Sequence, residues 1–246
     1  MKAMIFAAGL GTRLKPLTDR MPKALVPVGG KPLLQLLLEK LQASGYTDIV
    51  INIHHFADMI EEWVTMEFQP RHPDLTIRFS DERQELLETG GGIRHARPLL
   101  QDADRFLIHN VDILSNVSLP TFWQAGDEAE ATLLVSPRVT QRYLLFDDDM
   151  RLVGWTNEKT GEVKSPYGHL RLDALHKLAF AGIHQMHASL LPLMDAWPSK
   201  FSIIDFYLSV CRNHVLKGYV QPGLRLMDVG KFDTLAEAEH FLAHKP

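Results

Sequence analysis

The sequence predicts an α/β protein in which a mixed, mainly parallel central sheet is covered on both faces by helices. Three observations carry this. Apolar strand-like runs alternate with helical patterns from Met4 to Ile108. Beyond Ala131 the strand candidates follow one another with few helices between them, which predicts an antiparallel or mixed extension. The 246 residues are 46% hydrophobic, ample for one large packed core.

The elements follow in order. Met4 to Ala7 reads as a buried first strand, Pro32 to Ser44 as an amphipathic helix stopped by Gly45, and Ile49 to Ile53 as a second strand. Ala57 to Phe68 is helical, Leu75 to Phe79 a strand, Gly92 to Leu100 a helix, and Arg105 to Ile108 a strand running into Asn110-Val111-Asp112. Ala131 to Val135, Tyr143 to Phe146, Leu152 to Trp155 and Leu178 to Ile183 are the later strands. Ile203 to Arg212 and Phe232 to Ala243 read as helices, the second after a strand-and-turn stretch from Leu224 to Gly230. With no linker and no internal repeat, residues 1–246 read as a single domain, a Rossmann-like three-layer α/β/α sandwich.

Charge and cysteine content narrow the function. Lys and Arg number 26 against 30 Asp and Glu, a net charge of −4, so a nucleic-acid footprint is not expected and any phosphate site must be local. The single cysteine, Cys211, rules out an intrachain disulfide, suits a reducing cytosol and reads as a buried small residue. No apolar run approaches the roughly 20 residues of a membrane span. The expectation is a cytoplasmic protein with no membrane partner, its oligomeric state left open.

The opening stretch is the most informative. Gly9 and Gly11 match G-x-G-x-x-G only in part, because Leu14 stands where the dinucleotide fingerprint needs its third glycine. A P-loop fails too, since Lys23 follows a proline far from the glycines. What remains is a strand, a Gly-x-Gly turn whose N–H groups can face an anion, Arg13, and a loop stiffened by Pro16, Pro22 and Pro27 that carries Lys23. A guanidinium and an ammonium held near exposed backbone donors suit a triphosphate.

These residues also carry a resemblance. The run from Gly9 to Thr18, then Pro22-Lys23-Ala24-Leu25-Val26-Pro27-Val28, closely resembles the signature of the sugar-1-phosphate nucleotidylyltransferases. The likeness continues in family order through Glu88-Thr89-Gly90-Gly91-Gly92-Ile93, Asn110-Val111-Asp112, Phe180-Ala181-Gly182-Ile183 and Met227-Asp228-Val229-Gly230. Within that family the chain is most similar to the N-acetylmuramate-1-phosphate uridylyltransferase and mannose-1-phosphate guanylyltransferase-like members.

The resemblance implies attack of a sugar 1-phosphate on the α-phosphorus of a nucleoside triphosphate, with UTP favoured over GTP and an amino- or acylamino-sugar acceptor. It implies nucleotide contacts at Ala7, Ala8, Gly9, Gly11, Thr12, Arg13, Thr89, Gly90 and Gly91, with base-reading residues around Asp81 to Glu88. Arg13 is expected to hold the departing pyrophosphate and Lys23 to lie near the α-phosphoryl or the incoming sugar phosphate. Mg2+ is expected on Asp112 and Asp228, each just past a strand-like run, and sugar contacts at Asn110, Lys159 and Gly182. The helix start near Gly90 is expected to offer unpaired N–H groups to a base, so that Val at position 90 would block nucleotide with little loss of stability.

Val111 departs from the family's usual glycine and is expected to reshape the sugar pocket. Lys159 has a competing reading as a surface turn within Lys159-Thr160-Gly161. His54 and His55 lack zinc spacing, and Asp147-Asp148-Asp149 reads as a hairpin turn. A non-catalytic nucleotide sensor would keep the glycine loop and lose the metal carboxylates, whereas this chain has candidates for both.

Overall fold

The computed structural model describes residues 1–168, 170–231 and 234–243. Its strands are β1 (Lys2–Phe6), β2 (Pro27–Val28), β3 (Lys31–Pro32), β4 (Asp48–Ile53), β5 (Thr76–Asp81), β6 (Arg105–Asn110) and β7 (Ile113–Ser115). They continue with β8 (Ala131–Ser136), β9 (Arg142–Phe146), β10 (Leu152–Asn157), β11 (Glu162–Lys164), β12 (His176–His187), β13 (Leu216–Tyr219) and β14 (Leu226–Asp228). The helices are α1 (Leu33–Ala43), α2 (Ala57–Glu62), α3 (Glu88–His95), α4 (Arg97–Leu100), α5 (Leu119–Gln124), α6 (Ile203–Val210) and α7 (Thr234–Ala243). Phe232, read as the start of the last helix, lies outside the described residues.

The main sheet runs β11-β10-β9-β12-β6-β1-β4-β5, with β8 added on β12 and β13 on β8. β6, β1, β4 and β5 pair in parallel, β13 is parallel to β8, and only β10 and β12 run against the other strands of this sheet. The sheet is therefore mixed and mostly parallel, and the antiparallel pairs fall where the later strands follow one another without crossover helices.

Alternation along the strands builds the three layers. Ala3, Ile5, Ile49 and Ile51 join one core with α1, α2 and Phe122 of α5. Met4, Val50, Phe106 and Ile108 face the other way, onto Ile93, Leu100, Ile203 and Phe206 of α3, α4 and α6. Helix α1 has Pro32 at its N-cap and no side-chain cap bond. Its five buried leucines, 33, 34, 37, 38 and 41, hold it instead, each contributing about 1.5–3 kcal/mol by burial.

Two histidines are sealed in the core. His109 Nδ1 is bonded to the Asn110 carbonyl at 2.7 Å and His184 Nδ1 to the Tyr207 hydroxyl at 2.6 Å. Burial drives both imidazoles down to about 3. A histidine depressed in the fold stays neutral there while the unfolded chain takes up its proton, so its stabilisation is complete above about pH 6.5 and is lost as the pH falls. Each site is expected to remove about 1.4 kcal/mol per pH unit below that point. Urea midpoints for the wild type and His109→Phe between pH 6.5 and 5.5 measure this, and parallel slopes would contradict it.

Candidate active site

In the core of the sheet, β1 lies between β4 on one side and β6 on the other, so the chain reverses its direction of winding at the β1/β6 boundary. The carboxyl ends of strands at such a switch point leave a crevice. Asn52, Phe6 and Asn110 stand side by side in register at the ends of β4, β1 and β6. Above them opens a cleft of about 600 Å³, lined by the loop from Ala7 to Arg13, by Lys23, Glu82 and Thr89, and by Asn110 to Asp112.

The loop after β1 is anchored from below. Asn52 Oδ1 accepts the N–H groups of Ala7 at 2.7 Å and Ala8 at 3.2 Å, and its Nδ2 donates to Glu82 Oε1 at 2.8 Å. Burial raises the Glu82 carboxyl above its ordinary range despite this bond and the one from the Leu87 N–H. The Ala7 and Ala8 amides are therefore occupied by protein, whereas among the described residues those of Gly9, Leu10, Gly11 and Thr12 have no protein partner. Gly11 sits at φ 63°, and a β-carbon there would come within 2.8 Å of Thr18 Cγ2. At Gly9 a β-carbon would meet nothing within 4 Å, so its bare backbone faces open space in the cleft.

The structure brings Asp112 and Asp228 together. Asp112 follows β6 and precedes β7, and β7 pairs antiparallel with β14, Ile113 opposite Asp228. The Val229 N–H donates to the Asp112 carbonyl at 2.8 Å, clamping the two segments. Lys23 Nζ donates to Asp112 Oδ2. Desolvation and then the Asp112 charge push the Asp228 carboxyl up, against the opposing pull of Lys23 and Arg13. Gly230 makes room for this grouping, because a β-carbon there would lie 2.5 Å from Asp228 Oδ1 and 2.8 Å from Arg13 Nη2. Two hard oxygen donors whose charges repel suit Mg2+, which takes one or two carboxylates and fills its other positions with water and phosphate oxygen. No group of three or more His, Cys, Asp or Glu side chains fit to hold a metal forms among the described residues.

Other expectations are corrected. Helix α3 begins at Glu88 rather than Gly92, and the N–H groups of Gly90 and Gly91 both donate to the Phe201 carbonyl, at 2.8 and 3.2 Å. They are not free for a base. Both glycines are packing positions, since β-carbons there would come within 2.3 Å of the Phe201 ring and of the Ser199 carbonyl respectively. Thr89 does line the cleft, and its Oγ1 accepts the Ile203 N–H at 2.9 Å. Gly182 lies behind the cleft at φ +74°, where a β-carbon would overlap Asn110 Nδ2 at 2.7 Å, so it seats Asn110 instead of lining the cleft. Lys159 lies in the exposed β10–β11 turn, its N–H on Asn157 Oδ1 at 3.0 Å, and lines no cavity described here. Val111 lines the cleft but is only 5% exposed, most of its side chain in the core.

Remaining candidates are structural. His54 Nδ1 is bonded to the Glu82 carbonyl at 2.6 Å, and Asp147 Oδ1 accepts the Asp149 and Arg151 N–H groups in a hairpin turn. Cys211 is buried and its thiol is pushed up to about 11. No helix among the described residues is long and apolar enough to cross a membrane. Asn52 was not singled out from sequence, and Glu82 only as part of the range Asp81 to Glu88; the available signal for Asn52 is one polar residue inside the apolar run Ile49-Val50-Ile51-Asn52-Ile53.

Residues 2–143 match the nucleotidyl transferase family, and the chain belongs to it. Over 111 residues it is 47% identical to the N-acetylmuramate alpha-1-phosphate uridylyltransferase of Caulobacter vibrioides, covering 45% of each chain. Over 140 residues it is 36% identical to the mannose-1-phosphate guanyltransferase of Schizosaccharomyces pombe, covering 55% of this chain and 38% of that one. The chain thus spans about half the length, or less, of the curated relatives it matches. The fold is shared with HddC from Yersinia pseudotuberculosis, solved with GMP-PN, at a TM-score of 0.75 and 23% identity over 98% of this chain and 99% of that one.

Proposed function

We propose that the chain is a sugar-1-phosphate nucleotidylyltransferase. A phosphate oxygen of the sugar 1-phosphate attacks the α-phosphorus of a nucleoside triphosphate, the bond to the β-phosphate oxygen breaks, and pyrophosphate leaves as the nucleotide sugar forms. The observation that carries this is one cleft lined by unpartnered loop amides, Arg13, Lys23 and Asp112, with Asp228 next to Arg13 behind Gly230. Transfer at phosphorus needs alignment and charge neutralisation more than a protein nucleophile, and these groups provide both.

The amides of Gly9 to Thr12 and the Arg13 guanidinium cradle the β- and γ-phosphates, where the negative charge grows as the bond breaks. Lys23, fixed by its bond to Asp112, presents a compact charge between the two reactants. Asp112 and Asp228 would hold Mg2+, which when bound neutralises phosphate charge. Named relatives support UTP with an acylamino-sugar 1-phosphate as the first choice; GTP with mannose 1-phosphate is the alternative. A sensor role is disfavoured because both carboxylates are retained. The cytoplasm is the proposed compartment, on the strength of one buried thiol.

Pyrophosphate release from UTP, GTP, CTP, ATP and dTTP, each paired with a panel of sugar 1-phosphates, tests the reading, and silence from every pairing would refute it. Arg13→Ala is expected to lower kcat/KM for the triphosphate about 10²-fold, while Lys23→Ala should impair the use of both substrates. A Lys23→Ala enzyme with unaltered sugar-phosphate kinetics would show that Lys23 lies elsewhere in the reaction.

A further inference from the structure

Glu82, Glu88 and Asp112 are the carboxylate residues that line the cleft, and two of them are already committed. Glu82, only 2% exposed, accepts from Asn52 Nδ2 at 2.8 Å through one oxygen and from the Leu87 N–H at 3.2 Å through the other. Asp112 accepts from Lys23. Among the described residues the exposed carboxylate of Glu88 has no hydrogen-bond or ion-pair partner.

The backbone of Glu88 is also unusual. It opens α3 at φ +61°, in the left-handed region where glycine is at ease and a residue with a β-carbon is not. Its neighbours hold it there: the Leu87 N–H is tied to Glu82, Thr89 Oγ1 accepts from Ile203, and the Gly90 N–H donates to the Phe201 carbonyl. A glutamate kept where the backbone favours glycine points to a task for its side chain.

The sheet order says which part of a nucleotide it meets. Asp112 follows β6, the phosphate-loop amides follow β1, and Glu82, tied to the residue before Glu88, follows β5 at the far edge. Phosphates held over the loop amides and Arg13 leave the nucleoside to lie toward β5 and α3. A carboxylate accepts and does not donate, and it repels phosphate, so its partner is a donor on the nucleoside.

We propose that Glu88 accepts hydrogen bonds from the ribose hydroxyls of the bound triphosphate and makes the cleft selective for ribonucleotides over their deoxy counterparts. The inference rests on the nucleotidylyl-transfer reading. Two carboxylate oxygens match the two O–H donors of a vicinal diol, and dinucleotide-binding folds likewise set an acidic side chain on a ribose hydroxyl near a pyrophosphate. UTP and GTP share that diol, so the assignment holds for either base.

Calorimetric titration of the wild type, Glu88→Gly and Glu88→Gln with UTP and GTP, and with the 2′-deoxy and 3′-deoxy form of each, tests the proposal. The wild type is expected to bind a ribonucleotide about 10- to 100-fold more tightly than either deoxy form, the effect of losing one hydrogen bond to a charged group. Glu88→Gly should bring that ratio close to one. Its melting temperature should stay near that of the wild type, because relief of the φ +61° backbone offsets the added freedom of the unfolded chain. Glu88→Gln keeps one acceptor oxygen and should keep part of the preference. Equal binding of ribo and deoxy forms by the wild type, binding of none, or a ribose preference that survives in Glu88→Gly overturns the assignment. A Glu88→Gly protein that changes only its ranking of UTP against GTP puts the side chain on the base and overturns it as well. If the ribose preference follows Glu88 but no pyrophosphate is released with any sugar 1-phosphate, the assignment stands and the transfer reading falls.

Discussion

An Asp112→Asn protein is expected to release pyrophosphate about 10²- to 10³-fold more slowly than the wild type while keeping a similar melting temperature. The asymmetry follows from the surroundings of the side chain. Asparagine keeps an oxygen that can accept from Lys23 Nζ, so the ammonium does not become a buried donor without a partner. It also removes the charge that disfavours ionised Asp228, which offsets part of the lost ion pair. What it cannot replace is the anionic oxygen that the proposed Mg2+ site takes from this residue. Asp228→Asn should lose comparable activity. Steady-state rates across a magnesium titration check both, and wild-type turnover at limiting metal in either variant would remove the pair from the mechanism.

Gly91→Ala is expected to destabilise the fold by about 3 kcal/mol, lowering the melting temperature by roughly 6–12 °C. A β-carbon at Gly91 would fall 2.3 Å from the Ser199 carbonyl oxygen, and that contact is with backbone rather than with the end of a flexible side chain. The Gly91 N–H already donates to Phe201, so a shift of α3 to relieve the clash would stretch that bond as well. Gly90→Val belongs to the same class, because its β-carbon would meet both the ring and the carbonyl of Phe201. Thermal melts with and without triphosphate separate this from a binding defect. A variant with unchanged stability and lost nucleotide binding would restore these glycines to the nucleotide contacts.

The contrast between the two sites shows what could be read from the chain. Asp112 was legible as a residue of the cleft because strand ends at a switch point are where open sheets gather ligand groups, whereas Asp228, at the end of the β14–β7 ladder, was marked only by the resemblance. The Gly9 to Lys23 block was legible because prolines and glycines act on their own backbone. The role of Gly90 and Gly91 was not legible, because it depends on the Phe201 carbonyl more than a hundred residues away. Asn52 was hidden for the same reason: a polar residue in a buried strand announces a partner without naming it, and here the partners are Ala7, Ala8 and Glu82. Strands β7 and β14, three residues each, are too short to show periodicity, and they exist only as each other's ladder.

That ladder has a consequence for the order in which the molecule matures. During synthesis on the ribosome, β1, β4, β5 and β6 emerge and can pair well before residue 228 leaves the exit tunnel. Until β14 docks on β7, a nascent chain has only one of the two carboxylates proposed for Mg2+, already paired with Lys23. On the proposed reading, competence for transfer arrives with β14, and products truncated before it are expected not to consume triphosphate.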